Sequence, residues 1–335
     1  MNSSYRIEIQ ESGQPEVMKL VNSASCPQPR AGELLIRNHA AAVNFIDTMI
    51  RRGEMPEGMM PELPFTPGVE GAGVVEALGE GVQDFKIGDR VAWLGNLGAG
   101  GYGSHSVLPA RFVVPIAEEI DYSLAAALPV NGLTAYHMLV NLGRAQPGQT
   151  VLVHAAAGGV GTMALQLGTH LGLRMIASVS SSKVETARAQ GADLVVDYRQ
   201  EDLHAKVMEY SEGRGVDLTL NPVAGKSLST DLDLLAPFGT AILFGFLSGP
   251  PEGTFAEDLA RHFTKSIALR VSDLYTAYRS AADQLHIDMQ ELFRLLNTSV
   301  IRPQIDEVFP LQEVAQAHRK LEAGQVIGKV ALSIP

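Results

Sequence analysis

The stretch Val151-Leu-Val-His-Ala-Ala-Ala-Gly-Gly-Val-Gly161 places Ala156, Gly158 and Gly161 at the spacing of a dinucleotide-binding fingerprint. The chemistry asks for small residues there for three reasons. The chain must turn sharply out of a strand, and a pyrophosphate must come close to the backbone amides of Ala157, Gly158, Gly159, Val160 and Gly161. The last glycine must also let the next helix pack on the sheet. That helix brings partial positive charge to its first turn. An apolar strand before the motif and an amphipathic helix after it supply the context that a lone glycine motif lacks.

The same logic chooses between two nicotinamide cofactors. An NAD site carries Asp or Glu about 20 residues past the glycines, bonding the ribose hydroxyls. Here that position reads Ser178-Val-Ser-Ser-Ser-Lys183, with no acid before Glu185. The hydroxyls of Ser180 and Ser181 and the ammonium of Lys183 suit a 2′-phosphate, and the absent carboxylate removes a repulsion. NADPH is therefore the expected cofactor, with Tyr198 placed to cover the adenosine. The plain alternative for Lys183 is a solvated lysine at the start of a helix.

Other chemistry is narrowed by composition. The chain has one cysteine, Cys26, so neither an intramolecular disulfide nor a four-sulfur zinc site can form. Of the nine histidines, His39, His105, His137 and His154 read as ordinary core, loop or surface residues, and no metal is expected. A net charge of -11 without a dense Lys/Arg run speaks against nucleic acid and acidic membrane surfaces. No run approaches the roughly 18 apolar residues of a spanning helix, and the first residues lack a signal-peptide core. Cytoplasm is the expected location.

The elements that must position these residues change in texture along the chain. Up to about residue 120, short strands such as Glu33–Arg37, Gly73–Ala77 and Arg90–Leu94 alternate with Pro and Gly turns, predicting a partly closed antiparallel barrel. Helical patterns follow at Ser123–Leu128 and Leu133–Asn141. Then strands at Thr150–Ala155, Arg174–Val179, Leu194–Asp197, Val216–Asn221 and Ala241–Gly245 alternate with helices at Gly161–Leu171 and Lys183–Gln190. That alternation predicts an α/β doubly wound parallel sheet. The end, with a helix at Leu311–Glu322 and a strand at Lys329–Ile334, is expected to return to the first domain. The domains are read as 1–122 with 266–335, and 123–265.

At this point the chain resembles the medium-chain dehydrogenase/reductase superfamily, in its zinc-free, zeta-crystallin-like quinone oxidoreductase branch. The matching stretches are Ala42-Val-Asn-Phe-Ile-Asp-Thr48, Pro67-Gly-Val-Glu-Gly-Ala-Gly-Val74, Lys86-Ile-Gly-Asp-Arg-Val91, Asn131-Gly-Leu-Thr-Ala-Tyr136, Ala155 to Gly161, and Gly328-Lys-Val-Ala-Leu332. The resemblance implies a discontinuous GroES-like catalytic domain and a Rossmann cofactor domain. It implies that Lys183 and Tyr198 hold NADPH, and that Asn44, Thr134 and the loop Phe244, Gly245, Phe246, Leu247 and Ser248 meet the nicotinamide side. Gly328 and Lys329 resemble a C-terminal backbone contact. Thr134 serves equally as a buried or capping hydroxyl, and the plainer alternative for Asn44 is an amide bonding loop backbone. Val69 stands where zinc-dependent relatives have a ligand histidine, and Asn44 lies in the loop that would carry their cysteine.

Without a Lewis acid, alcohol oxidation is difficult at neutral pH, whereas a conjugated acceptor delocalises the charge that hydride transfer creates. The implied reaction is NADPH-dependent reduction of a quinone, enone or alkenal. Enoyl-thioester reduction is the nearest alternative, although Met55 and Met49 stand where tyrosines are found in the enoyl-reductase and quinone-reductase branches. Met49, Met55, Met59 and Met60 either line an adaptable pocket or pack a loop. A non-enzymatic NADPH-binding protein is the alternative of another class. Superfamily members pair through an edge strand of the cofactor domain, so a homodimer through Ala241–Phe246 is expected, with a tetramer also open.

Overall fold

The computed structural model describes residues 4–335 apart from 24, 57 and 254. The chain forms two compact units, one of residues up to Leu133 together with Tyr275–Pro335, the other Thr134–Leu274. The sequence placed these divisions at 122/123 and 265/266. Two contacts explain the difference. The helix Tyr122–Ala126 packs on the strands Glu33–Val43 and Glu70–Leu78 and so stays with the first unit. A further strand, Ala268–Val271, joins the sheet of the second.

The first unit is organised around Glu33–Val43, whose buried residues lie on both faces. Its first half pairs with His105–Pro109 and its second half with Lys329–Ser333, while Glu70–Leu78 pairs along its other edge. Register shifts between Leu35 and Ile36 and between Asn38 and Ala40 add the local twist that bends such a strand. Gly73 sits at the second shift, where a Cβ would come within 2.0 Å of the Arg37 carbonyl oxygen. The sheet has seven strands, with Ile305–Pro310 at one end and Val113–Pro115 at the other. These ends do not pair among the described residues, so the sheet curls without closing. Trp93 fills one side of it with Leu34, Ile36, Val75 and Val113, and its indole N–H donates to Asn38 Oδ1 at 3.1 Å.

The second unit is a six-stranded, wholly parallel sheet. Its order is Leu194–Asp197, Arg174–Val179, Thr150–His154, Val216–Asn221, Leu235–Leu243, Ala268–Val271. Counted in chain order this is 3-2-1-4-5-6, the Rossmann arrangement, with its switch point between Thr150–His154 and Val216–Asn221. The fifth strand begins earlier than Ala241 because it runs through a Pro-Phe-Gly segment. Phe238 adopts φ 64° there, and the pairing with Val216–Asn221 shifts register before resuming at Thr240. The expected pairing edge at Ala241–Phe246 is also corrected. Ala268–Val271 covers that strand, so the sheet's own edge lies one strand further out.

Candidate functional site

In the parallel-sheet unit the site is built from backbone. The strand Thr150–His154 is buried throughout, and Ala155 follows it at φ 50°. The Gly158 N–H then bonds back to the Ala155 carbonyl at 2.9 Å, closing the turn. The helix Gly159–His170 starts at once, and no side chain among the described residues caps it. Its first amides are thus left without intrahelical acceptors, facing the end that carries partial positive charge. A Cβ on Gly161 would lie 2.6 Å from Ala156 backbone atoms, whereas one on Gly158 would meet only the Ala155 carbonyl, at 3.3 Å. One glycine therefore lets the helix approach the turn, and the other keeps the space over the amides clear. Ala156 and Ala157 are buried beneath them, and Gly158, Gly159 and Val160 are half-buried.

The strand Arg174–Val179 ends in half-buried Ser180 and exposed Ser181, and the turn Ser181–Lys183 is tied by the Lys183 N–H to the Ser180 carbonyl at 2.8 Å. The Tyr198 N–H bonds the Val179 carbonyl at 3.1 Å, which brings the end of the third strand beside these hydroxyls. Tyr198 is exposed, and the Arg199 guanidinium lies 6.0 Å from its ring centre. Arg199 is a cation that sequence reasoning passed over, although it directly follows the tyrosine. No carboxylate stands at the end of the second strand. Glycine cradle, uncapped helix and hydroxyl-rich turn together fit a dinucleotide carrying a 2′-phosphate.

The loops after the fourth and fifth strands are laced together at the same sheet edge. Asn221 Oδ1 accepts from the Val223 and Ala224 amides, and Phe244 N–H bonds the Asn221 carbonyl at 3.0 Å. Leu247 and Ser248 amides bond Pro222 and Val223, and a Cβ on Gly245 would press on Pro222. This lacing holds Phe246 outward, 53% exposed. Below it, His154 Nε2 meets Asp231 at 2.6 Å, and Asn221 Nδ2 donates to the other oxygen of that carboxylate at 2.7 Å. Thr134, in the helix Pro129–Tyr136, is half-buried.

In the curled-sheet unit the site is built from buried side chains. Glu70, with no exposure, accepts from Lys329 Nζ at 2.8 Å, from Asn44 Nδ2 at 2.8 Å and from the Val130 amide at 2.7 Å. Lys329 also donates to Asn44 Oδ1 and, at 3.2 Å, to Asn131 Oδ1. Gly328 makes this possible. It adopts φ 76° where a Cβ would collide with the Gln304 carbonyl, and the Lys329 amide bonds that carbonyl at 2.8 Å. The contact foreseen for Lys329 was a backbone one. Its side chain proves to be the cation of a buried polar node, and Glu70 and Asn131 are members that sequence reasoning did not assign.

Asn44 precedes the helix Phe45–Arg52, and its own amide N–H donates to Asp47 Oδ2 at 2.9 Å. Tyr102 Oη lies 3.2 Å from that oxygen and 3.2 Å from His318 Nε2. Burial pushes the Asp47 carboxyl up to about 7, against the pull of the Asn44 amide and Lys329. Burial likewise brings His318 down to about 3, helped by Arg51 and Arg52, and raises the Tyr102 phenol well above its ordinary value. Asp47 Oδ1 and His318 Nδ1 have no hydrogen-bond partner among the described residues. Met49 is half-buried, while Met55 and Met60 pack against the core formed by Ile50, Phe65 and Leu311.

The residues at this node do not fit a catalytic zinc. The donor set lacks thiolate and imidazole, Val69 is a buried aliphatic, and both Glu70 oxygens already serve an ammonium and two amides.

Two family models match the chain, "Alcohol dehydrogenase GroES-like domain" over residues 30–118 and "Zinc-binding dehydrogenase" over residues 190–332. A quinone oxidoreductase of Pseudomonas aeruginosa is 37% identical over 330 residues, covering 98% of each chain. A 2-haloacrylate reductase of Burkholderia sp is 34% identical and covers 91% of each. The solved structure of Escherichia coli quinone oxidoreductase complexed with NADPH superposes with a TM-score of 0.89 at 33% identity, covering 98% of this chain and 100% of that one. The chain therefore belongs to the medium-chain dehydrogenase/reductase superfamily, in its zeta-crystallin-like quinone oxidoreductase branch.

Proposed function

We propose that this protein is an NADPH-dependent oxidoreductase that reduces quinones or other conjugated acceptors, enones and alkenals among them, with NADPH supplying the hydride. The observation that carries the reading is the end of the second strand of the parallel sheet, where Ser180, Ser181 and Lys183 stand in place of an acid. The names of the relatives agree with it, one being a quinone oxidoreductase complexed with NADPH and another a 2-haloacrylate reductase.

Each group then has a task. The amides of Ala157 to Gly161 receive the pyrophosphate, and Ser180, Ser181, Lys183 and Arg199 receive the 2′-phosphate, with Tyr198 over the adenosine. In the parallel-sheet unit Phe244, Gly245, Phe246, Ser248 and Thr134 are assigned to the nicotinamide, and in the curled-sheet unit the backbone at Gly328 is assigned a cofactor contact. Asn44 faces the acceptor. Lys329 and Glu70 hold its amide in one orientation, and the Lys329 ammonium lends positive potential to an oxygen gaining charge. Met49 and Met55 border the acceptor pocket. The protein works in the cytoplasm as a homodimer or tetramer, paired through the sheet edge at Ala268–Val271.

Following NADPH absorbance across quinones, enones, alkenals and one enoyl-CoA tests the reading. Turnover with quinones or enones, faster with NADPH than NADH and indifferent to chelator, is the expected result. Turnover confined to enoyl-CoA would transfer the protein to the thioester reductases, and tight NADPH binding with no turnover would make it a binding protein.

A further inference from the structure

Away from the buried node, the curled-sheet unit brings together three side chains that the sequence keeps far apart. The Cys26 thiol, a Glu76 carboxylate oxygen and a His105 ring nitrogen lie within 4.8 Å of one another, all half-buried. Cys26 lies on the segment between the strands Met18–Ser23 and Glu33–Val43. Glu76 and His105 come from strands on opposite edges of Glu33–Val43. Glu76 is the extra residue at the shift between Leu35 and Ile36, and its side chain reaches the His105 ring, 2.7 Å from Nε2.

We propose that Cys26, Glu76 and His105 form a site for a divalent cation of the zinc class. The donor set is one sulfur, one imidazole nitrogen and one carboxylate oxygen, which is the chemistry zinc selects over magnesium or calcium. Thiolate and carboxylate together neutralise a doubly charged ion. Ligand atoms around tetrahedral zinc stand about 3.5 Å apart, so the trio closes on an ion by side-chain adjustment alone.

Two surroundings support the assignment. His105 Nδ1 lies 2.9 Å from Ser104 Oγ, while Nε2 faces Glu76 at 2.7 Å. In the ion-free site the proton sits on Nε2, donated to Glu76; an arriving ion displaces it, and Ser104 Oγ is placed to accept from Nδ1–H once Nε2 turns to the metal, the outer-shell arrangement that metal-binding histidines use. A cavity of about 300 Å³ also opens beside it, lined by Ser4, Tyr5, Arg6, Ser25, Ser104 and His105 among others, with room for a water as fourth ligand. Without a cation, burial and then the Glu76 charge push the Cys26 thiol up, which keeps it protonated. Arg37 brings a guanidinium to the same face, so an ion without affinity for sulfur gains little there. Bound zinc would pin the Cys26 segment to the sheet. The proposal is independent of the reductase reading.

The full chain, untagged and stripped of metal, is titrated with Co²⁺ alone and then with Zn²⁺. One equivalent of Co²⁺ is expected to give a near-ultraviolet sulfur-to-cobalt band that Zn²⁺ abolishes, and Zn²⁺ should shield the single thiol from alkylation. Cys26→Ser should lose the band while keeping its circular dichroism and wild-type NADPH turnover, and Ser104→Ala should weaken Zn²⁺ by about tenfold. A wild-type chain giving no band, or Zn²⁺ binding equally well to Cys26→Ser, would overturn the proposal. Loss of quinone turnover in every variant and wild type alike would bear on the reductase reading and leave this result standing.

Discussion

The two units handle charge by opposite means. The parallel-sheet unit uses backbone, in one unbroken stretch from Ala155 to Gly161, and its charge is the partial charge of a half-buried helix end. The curled-sheet unit uses whole ionic charges on Glu70 and Lys329, both buried, gathered from opposite ends of the chain. A backbone site tolerates most side-chain changes and fails only where a Cβ will not fit. A buried ionic node fails when any one member is removed, because the charge left behind has no solvent to turn to.

The hardest test of that contrast is Lys329→Met. It leaves the Glu70 carboxylate buried without its cation, and the expected cost is about 3–5 kcal/mol in denaturant unfolding. Adding Glu70→Gln to it should restore most of that stability but not the turnover number, since the field on Asn44 is gone. A single change costing under about 1 kcal/mol would mean that the node is wetter than its burial indicates.

A second test uses protons. Asp47 is raised from 3.8 to about 7, so between those values the native state holds its proton more firmly than the unfolded chain does. Its contribution is complete below pH 4 and is lost as pH rises through 7. His318, lowered from 6.5 to about 3, acts with the other sign, contributing fully above 6.5 and losing it as pH falls. Between pH 4 and 6.5 the two slopes offset. Asp47→Asn removes one of them, so its stability should climb by about 1.4 kcal/mol per pH unit across that window relative to the parent. Parallel curves for the two proteins would show that Asp47 is ionised throughout.

The contrast also explains what could be read in advance. Arg174–Val179, Leu194–Asp197 and Val216–Asn221 were expected at the bounds they have, because a buried parallel strand is a local apolar run. The glycine turn was legible for the same reason, being contiguous. Leu235–Leu243 was not, since Pro237 and Gly239 imitate a turn inside a strand. Glu70 and Asn131 were out of reach of any local window, and Lys329 was foreseen only as a backbone contact, because the role of each side chain comes from partners distant in sequence. Asp47 reads as a helix-start residue, and only Tyr102 and His318 folding over it make it a buried acid. The same limit hid the Cys26, Glu76 and His105 trio, since His105 reads as an ordinary core, loop or surface residue, Glu76 as a strand residue and Cys26 as a lone thiol.

A smaller effect is expected inside the backbone site. Gly161→Ala puts a methyl 2.6 Å from the Ala156 backbone and must displace the turn, at about 1–3 kcal/mol of stability and with loss of NADPH affinity. Gly158→Ala meets only one carbonyl, at 3.3 Å, so it should fold nearly as well and lose affinity alone. Thermal unfolding with and without NADPH separates the two.

The mildest change sharpens the comparison most, because it touches the one place where the backbone site borrows side-chain charge. Lys183→Ala removes a half-buried ammonium from the turn Ser181–Lys183, and the expected cost to folding is under about 1 kcal/mol. The 2′-phosphate is the only part of NADPH that NADH lacks. The KM for NADPH should therefore rise about tenfold, equivalent to about 1.4 kcal/mol, with NADH kinetics unaltered. Arg199→Ala should do the same to a lesser degree, and the double variant should bring the two cofactors close to parity. A fall in affinity for both cofactors alike would show that Lys183 shapes the turn rather than reading the phosphate, and discrimination would then have to come from the serine hydroxyls and the missing acid.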